Sequence, residues 1–370
     1  MAEETIYEGM KRRGFSRREF LNTCSVIAAS LGLSQLPFVN GQTFAQDSTS
    51  QKAVTDLVAA TLKSKPKLPV IWIEIQSCTG CSEALTRSHS PSLKDLVLNH
   101  ISVEYHETLS AAAGFQLEEN KQKIMKEYNG KYVLVIEGSI PLADDGIYCV
   151  IGGRTSVDIL KEAAAGAAAV ISTGNCAAFG GIPHANPNPT DAVGVWKIIT
   201  DKPVLNIPGC PAIPEVFTAT LVHFLIFGAL PELDSLNRPK AFYGNTIHDR
   251  CYRRPFYEAG KFALSFDDEA AQKGHCLYKL GCKGPITYNS CAVMKWDGGL
   301  SFPIQSGHPC LGCSEPNFWD GGGFYQGLSA PIEKPELVAV GAVAAAGAAV
   351  GLGMAMANNL KKKHLHKEQE

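Results

Sequence analysis

Twelve cysteines are spread through a chain of 370 residues, and their spacing separates those that could do chemistry from those that could not. Cys78 and Cys81 stand in Ser-Cys-Thr-Gly-Cys-Ser-Glu, Cys176 in Thr-Gly-Asn-Cys-Ala-Ala-Phe-Gly-Gly, and Cys210 in Pro-Gly-Cys-Pro. Thiolates hold soft metals. One CxxC with two single cysteines in glycine-rich loops favours iron–sulfur over zinc, which more often takes two CxxC pairs. Glycine lets the backbone approach a bulky centre and offer it N–H groups. On this pattern alone zinc and a redox dithiol stay open.

Two further sets lie downstream. His248-Asp-Arg-Cys251 gives a histidine and a cysteine three apart, followed by Cys276 and Cys282 in His-Cys-Leu-Tyr-Lys-Leu-Gly-Cys-Lys-Gly-Pro. Three thiolates with His248 make four ligands, although without the neighbouring Cys251 the histidine would read as a solvated loop residue. An imidazole in place of a thiolate removes a negative charge and raises a cluster's potential. Cys291, Cys310 and Cys313 form a set of only three. Cys24 falls in an N-terminal segment of a different character, and Cys149 in Gly-Ile-Tyr-Cys-Val reads as a small buried hydrophobe. Without Cys24 the count is odd, which is awkward for an all-disulfide framework.

The elements that must position these residues follow from periodicity. Pro69–Ile75, Ile101–Tyr105, Tyr132–Ile136, Ala168–Ser172 and Val204–Ile207 are β-branched-rich runs closed by Gly, Ser or Pro, which predicts strands. Between them lie helical patterns, one from Leu117 stopped by Gly130 and one from Ser156 with Thr155 or Ser156 as cap. Alternation of strand and helix predicts an open, flavodoxin-like α/β sheet of parallel strands over residues 67–235. Ligands of such sheets sit beyond the carboxyl ends of the strands. Cys78, Cys81, Cys176 and Cys210 all follow strands, so the topology would bring them to one edge. After Asp234 the periodicity fades into a loop-rich segment, 236–330, whose fold would depend on its metal sites.

Both ends differ from the middle. The N-terminus carries Ser16-Arg-Arg-Glu-Phe-Leu21, then an apolar run from Cys24, then Thr43-Phe-Ala45. This describes a twin-arginine export signal over 1–45, with removal near Ala45 and a linker over 46–66. The bland alternative is a basic amphipathic helix. After a linker at 331–336, the chain from Leu337 to Ala357 carries no charge. At a rise of ~1.5 Å per residue that run spans about 32 Å, enough for a transmembrane helix over 337–358. The tail at 359–370, with Lys361, Lys362 and Lys363, would be the cytoplasmic flank. Together the ends place the body on the periplasmic side of the cytoplasmic membrane. The net charge of -2 and pI near 6.6 give no reason to expect nucleic acid, and 45% hydrophobic residues suit a folded core.

Taken in order, the twin-arginine signal, Cys-Thr-Gly-Cys-Ser-Glu, Glu137-Gly-Ser-Ile-Pro, Asn-Ile-Pro-Gly-Cys-Pro, Arg253-Arg254-Pro, Leu280-Gly-Cys-Lys-Gly-Pro and Gly307-His-Pro-Cys-Leu-Gly-Cys closely resemble the small, iron–sulfur subunit of membrane-bound respiratory [NiFe] hydrogenases. The resemblance implies three clusters. Cys78, Cys81, Cys176 and Cys210 match a proximal [4Fe–4S] cluster; His248, Cys251, Cys276 and Cys282 match a distal [4Fe–4S] cluster; Cys291, Cys310 and Cys313 match a medial [3Fe–4S] cluster. Pro303 stands where a fourth cysteine would complete the medial cube. The family's small subunit holds no nickel. Hydrogen is split in a separate large subunit, so this chain would relay electrons to a membrane cytochrome b or other quinone-linked partner, after passage through the twin-arginine export machinery.

Two departures limit what carries over. Ser77 precedes Cys78 where many relatives have glutamate, and Gly80 and Gly181 match positions where oxygen-tolerant relatives add cysteines. Glu83, Arg87 and His89 are candidates for the large-subunit interface. Other readings of the cysteines are an exported zinc or disulfide structural protein, and an iron–sulfur subunit of a related respiratory complex.

Overall fold

Five runs of β-branched and aromatic residues pair as one parallel sheet: β1 (Leu68–Glu74), β2 (Ile101–Tyr105), β3 (Val133–Glu137), β4 (Ala169–Thr173) and β5 (Val204–Ile207), in the order β2-β1-β3-β4-β5. This is the flavodoxin-like order, with its switch point between β1 and β3. The computed structural model describes residues 4–30, 48–321 and 324–327. The expected cleavage point near Ala45, the 337–358 span and the 359–370 tail therefore lie outside the described residues. Among those described, no helix is long and apolar enough to cross a membrane.

Alternation along each strand sends side chains to two cores. Val70, Trp72, Val133, Val135, Ile171, Leu205 and Ile207 face one side; Ile71, Ile73, Leu134, Ile136 and Val170 face the other. The second face is covered by α5 (Phe115–Glu127) and α6 (Ser156–Ala165) through Leu117, Ile124, Ile159 and Leu160. Thr155 Oγ1 accepts the Asp158 N–H at 3.3 Å, capping α6 as its sequence suggests. The first face is covered by α8 (Pro214–Phe227), with Val216, Phe217 and Leu221 buried, and by three N-terminal helices. Those are α1 (Ile6–Arg12), α2 (Arg17–Ser30) and α3 (Ser48–Ser64). The basic start of the chain thus has the helical partner that its sequence did not reveal.

Register fixes where the loops leave the sheet. Glu74 pairs with Glu137, Glu137 with Thr173, and Thr173 with Ile207. These four strand ends form one row. The loops after β1, β4 and β5, and the short helices α4 (Gly80–Thr86) and α7 (Gly174–Phe179) that two of them open, therefore emerge side by side. Beyond Asp234 the chain forms short helical turns separated by loops, and its apolar residues Tyr243, Ile247, Leu277, Phe302 and Ile304 continue the core of the first sheet face.

Candidate metal centres

The row of strand ends gathers the first cysteine set. Cys78, Cys176 and Cys210 are electrostatic neighbours, and Cys81 lies beside Cys176 and Cys210. Cys78 and Cys210 are exposed; Cys81 and Cys176 are partly covered. Burial pushes the Cys176 thiol up to about 11. Yet backbone N–H groups of Ala212 and Ile182 aim at the Cys81 and Cys176 sulfurs, a contact that favours thiolate. Four sulfurs gathered at one edge, two of them met by backbone N–H donors that favour thiolate, are a donor set suited to a soft metal centre such as iron. Glycine makes the room: a Cβ on Gly174 would stand 2.4 Å from the Cys81 sulfur, and one on Gly181 2.5 Å from that of Cys176. The donor set and its cradle fit an iron–sulfur centre.

Glu137, visible in the sequence only as one letter of a longer motif, organises this loop. Its carboxylate accepts from Cys81 N–H at 2.9 Å, Ser82 N–H at 3.0 Å, Ser82 Oγ at 2.5 Å, Ser77 Oγ at 3.0 Å and Trp72 Nε1 at 3.2 Å. It is 1% exposed, and burial raises its pKa against the pull of these bonds. Ser77 thus bonds a carboxylate instead of supplying one. The signal that could have singled out Glu137 is its place: an acid at the carboxyl end of a fully buried strand, followed by a glycine at φ +92 whose Cβ would strike Gln76 at 2.7 Å.

The histidine set closes on one small pocket lined by His248, Cys251, Cys276 and Cys282, with Arg253, Tyr278, Gly284 and Ile304. His248 sits edge-on to Tyr257 with ring centroids 4.7 Å apart. Backbone N–H groups of Arg253 and Arg254 point at Cys251, of Tyr278 at Cys276, and of Gly284 and Cys310 at Cys282. Arg253 is buried, bonds the His275 carbonyl at 2.8 Å, and brings a positive charge to all three thiols. The three-cysteine set lines another cavity with Trp296, Phe302 and Pro303. Pro303, which carries no side-chain donor, lines that cavity beside the three thiols.

The three sets are consecutive in space. Cys210 of the strand-end set lines the same cavity as Cys291, Cys310 and Cys313, and its backbone N–H points at the Cys313 sulfur. On the other side the Cys310 N–H donates to the Cys282 sulfur at 3.4 Å. The three-cysteine set therefore lies between the other two. Asn175 Nδ2 donates to the Cys313 and Glu315 carbonyls at 2.9 and 3.0 Å, and buried Arg238 bridges Asp234 and Glu315 at 2.8 and 3.0 Å. Neither tie was legible in the sequence. Cys149 is half-buried and stands apart from all three sets. Glu83 and Arg87 are exposed and paired with each other at 2.7 Å; His89 is exposed, and its N–H bonds Glu215 at 3.1 Å.

One carboxylate cluster lies outside the sulfur sets. Glu74, His106 and Glu107 place ligand atoms within 4.8 Å of one another. His106 is already engaged, by Ser82 Oγ on Nε2 at 3.1 Å and by the Thr108 N–H on Nδ1 at 3.2 Å. Burial raises the Glu107 carboxyl from 4.5 to about 7. The folded state therefore holds this proton more tightly than the unfolded one, and stability falls as pH rises from about 4.5 through 7. Glu107→Gln should remove that fall. At pH 8 the variant should be more stable by roughly 3 kcal/mol, and the gain should vanish below pH ~4.5, in denaturant titrations across pH.

Comparison with known proteins agrees with this geometry. Residues 243–326 match the family model for the C-terminal part of the NiFe/NiFeSe hydrogenase small subunit, and residues 78–224 match NADH ubiquinone oxidoreductase, 20 Kd subunit. The chain is 47% identical over 375 residues to the Hydrogenase-1 small chain of Citrobacter freundii, covering 99% of this chain and 94% of that one. It is 48% identical over 326 residues to the uptake hydrogenase small subunit of Azotobacter vinelandii, covering 88% and 86%. Among solved structures, a chain of the [NiFeSe] hydrogenase of Desulfomicrobium baculatum superposes with TM-score 0.67 at 35% identity, covering 71% of this chain and all of that one. One from Desulfovibrio vulgaris Hildenborough gives 0.66 at 39%, covering 71% and 99%.

Proposed function

Because the chain belongs to the NiFe hydrogenase small-subunit family, we propose that its three thiol sets serve, in spatial order, as proximal, medial and distal sites of an electron relay. It is the electron-transfer subunit of a hydrogenase whose hydrogen-splitting centre lies in the large subunit. Cys78, Cys81, Cys176 and Cys210 are assigned to a [4Fe–4S] cluster, Cys291, Cys310 and Cys313 to a [3Fe–4S] cluster, and His248, Cys251, Cys276 and Cys282 to a second [4Fe–4S] cluster. When bound, such clusters supply one-electron carriers in series.

The chain's own residues do the rest. Glu137 fixes the first loop, so Cys81 keeps its place. Backbone N–H groups aimed at sulfur and the charge of Arg253 favour the reduced, more negative state. Burial of Cys282, Cys291 and Cys310 keeps water from the middle of the relay. The single observation carrying this reading is the pair of contacts Cys210–Cys313 and Cys310–Cys282, which makes one continuous series of three separate sets.

The finer assignments belong to the same proposal: residues 67–235 carry the proximal site and 236–330 the other two, 1–45 is a twin-arginine leader, and 337–358 anchors a periplasmic body to the cytoplasmic membrane beside a cytochrome b or other quinone-linked protein. The 78–224 match alone would suit a component of a related respiratory complex; the 243–326 match and the His248 set favour the hydrogenase. Purification from the native membrane tests the whole. The expected result is a nickel-containing partner and about eleven irons per small chain, with acid-labile sulfide. Zinc without iron or sulfide would remove the relay. An enzyme that evolves H2 from a quinol-level donor yet cannot oxidise H2 would remove the uptake direction.

A further inference from the structure

We propose that residues 4–30 act as a latch in the precursor: the leader lies with its apolar face in the core of the body, so the folded body competes with the export receptor for the twin-arginine segment. This rests on reading the N-terminus as a leader.

The packing is specific. Ile6, Met10, Phe20, Cys24 and Ile27 are each at most 2% exposed and share one core with Val58, Leu62 and the α8 residues Leu221 and Leu225. The docking is also polar. Ile6 N–H donates to the Lys65 carbonyl at 2.9 Å, Thr5 bridges Pro66 as an antiparallel pair, and Arg13 donates to Asn99 Oδ1 at 2.6 Å. Phe20 stands edge-on to Tyr7 at 4.8 Å, with the Lys63 ammonium 5.9 Å from its ring centre.

This arrangement divides the signal. Arg17, Arg18 and Leu21 are exposed, whereas Phe20 of the same motif and the apolar run behind it are turned inward. Phe20, Cys24, Ile27 and Ala28 recur at four, seven and eight residues, one face of a helix. A leader read only by a receptor needs no such match to its own body. The groove that takes this face is built from α3 and α8, which touch each other and share one core, so the groove belongs to the folded body. A receptor that binds the arginines must therefore still draw Phe20 and its neighbours out of the core, and the latch slows capture of the folded precursor until it does.

The test uses the full-length chain assembled with its large subunit. Hydrogen exchange at residues 20–28 and capture on inverted membrane vesicles carrying the twin-arginine receptor are compared in wild type, Leu62→Asp and Ile27→Asp. The first substitution opens the latch from the body and the second from the leader. Each should speed exchange at 20–28 by about tenfold or more and raise capture. Hydrogen-dependent dye reduction should be unchanged; Ile27→Asp leaves the body's own sequence untouched should Leu62→Asp fail to fold. Wild-type exchange as fast as in a free leader peptide, or capture unaltered in both variants, overturns the latch. A Lys-Lys pair for Arg17 and Arg18 that exports normally overturns the leader reading instead. A mature protein that retains residues 4–30 overturns both, leaving the helices as a permanent layer.

Discussion

Gly174→Ala is expected to strip iron from the strand-end centre and to cut hydrogen-driven dye reduction by about 10–100-fold, the range seen when the surroundings of a metal ligand are disturbed. The residue opens α7 at φ +82, and an added Cβ would stand 2.4 Å from the Cys81 sulfur. Real Cβ atoms do not approach sulfur so closely, so one of the two must move. Cys81 has little freedom, since its N–H is bonded to Glu137 and the next residue is held there twice more. The thiolate would be pushed out of the cradle. A control separates this from backbone strain. Gly153 has φ +79 with nothing within 4 Å of its Cβ position, so Gly153→Ala carries the same conformational penalty and no sulfur contact. It should lose about 1 kcal/mol of stability and keep its iron. Iron analysis of the two purified variants decides: full iron in Gly174→Ala would remove Cys81 from the ligand set.

The α/β sheet was legible because buried parallel strands write their own signature. Val70 to Ile73 and Val133 to Ile136 are continuous apolar runs, Val204 to Ile207 is apolar except for Asn206, and each strand lies within one residue of its expected position. The strand-end cysteines were legible for the same reason, since parallel topology sends every carboxyl end to one edge. What escaped was everything that depends on contact between segments distant in sequence. Glu137 shows its place at the end of a buried strand but not the five donors it will bind, which come from β1, the loop after it and α4. Asn175, in α7, reaches the Glu315 carbonyl across 140 residues of chain and Arg238 reaches the Glu315 carboxylate across 77, and no periodicity encodes such a tie. The packing partner of the N-terminal helices escaped for a related reason. Their partner α3 occupies the expected 46–66 linker itself, which is helical over Ser48–Ser64, and an amphipathic face shows what a helix can bury without showing against what.

Pro303→Cys should bring the middle centre from three thiols to four, raising the iron content from about eleven to about twelve per chain as a [3Fe–4S] cluster becomes [4Fe–4S]. Pro303 lines the cavity shared by Cys291, Cys310 and Cys313, so a thiol introduced there faces the ligands it must join. Its neighbours Phe302 and Ile304 are buried at 4% and 3%, which anchors the segment on both sides. The substitution therefore alters the donor without moving its frame. An added thiolate brings negative charge into a site where burial already pushes the Cys291 thiol up to about 12, and it favours the oxidised, less negative state of the cluster. The potential of the middle centre should fall. That centre lies between Cys210 and Cys282, so the change would place a low step inside the series and slow hydrogen-driven reduction of the acceptor more than exchange chemistry confined to the large subunit. Electron paramagnetic resonance of the oxidised variant reads the outcome directly. Loss of the three-iron signal confirms that proline was the missing ligand's place; its persistence at full intensity would mean that the cavity is completed elsewhere.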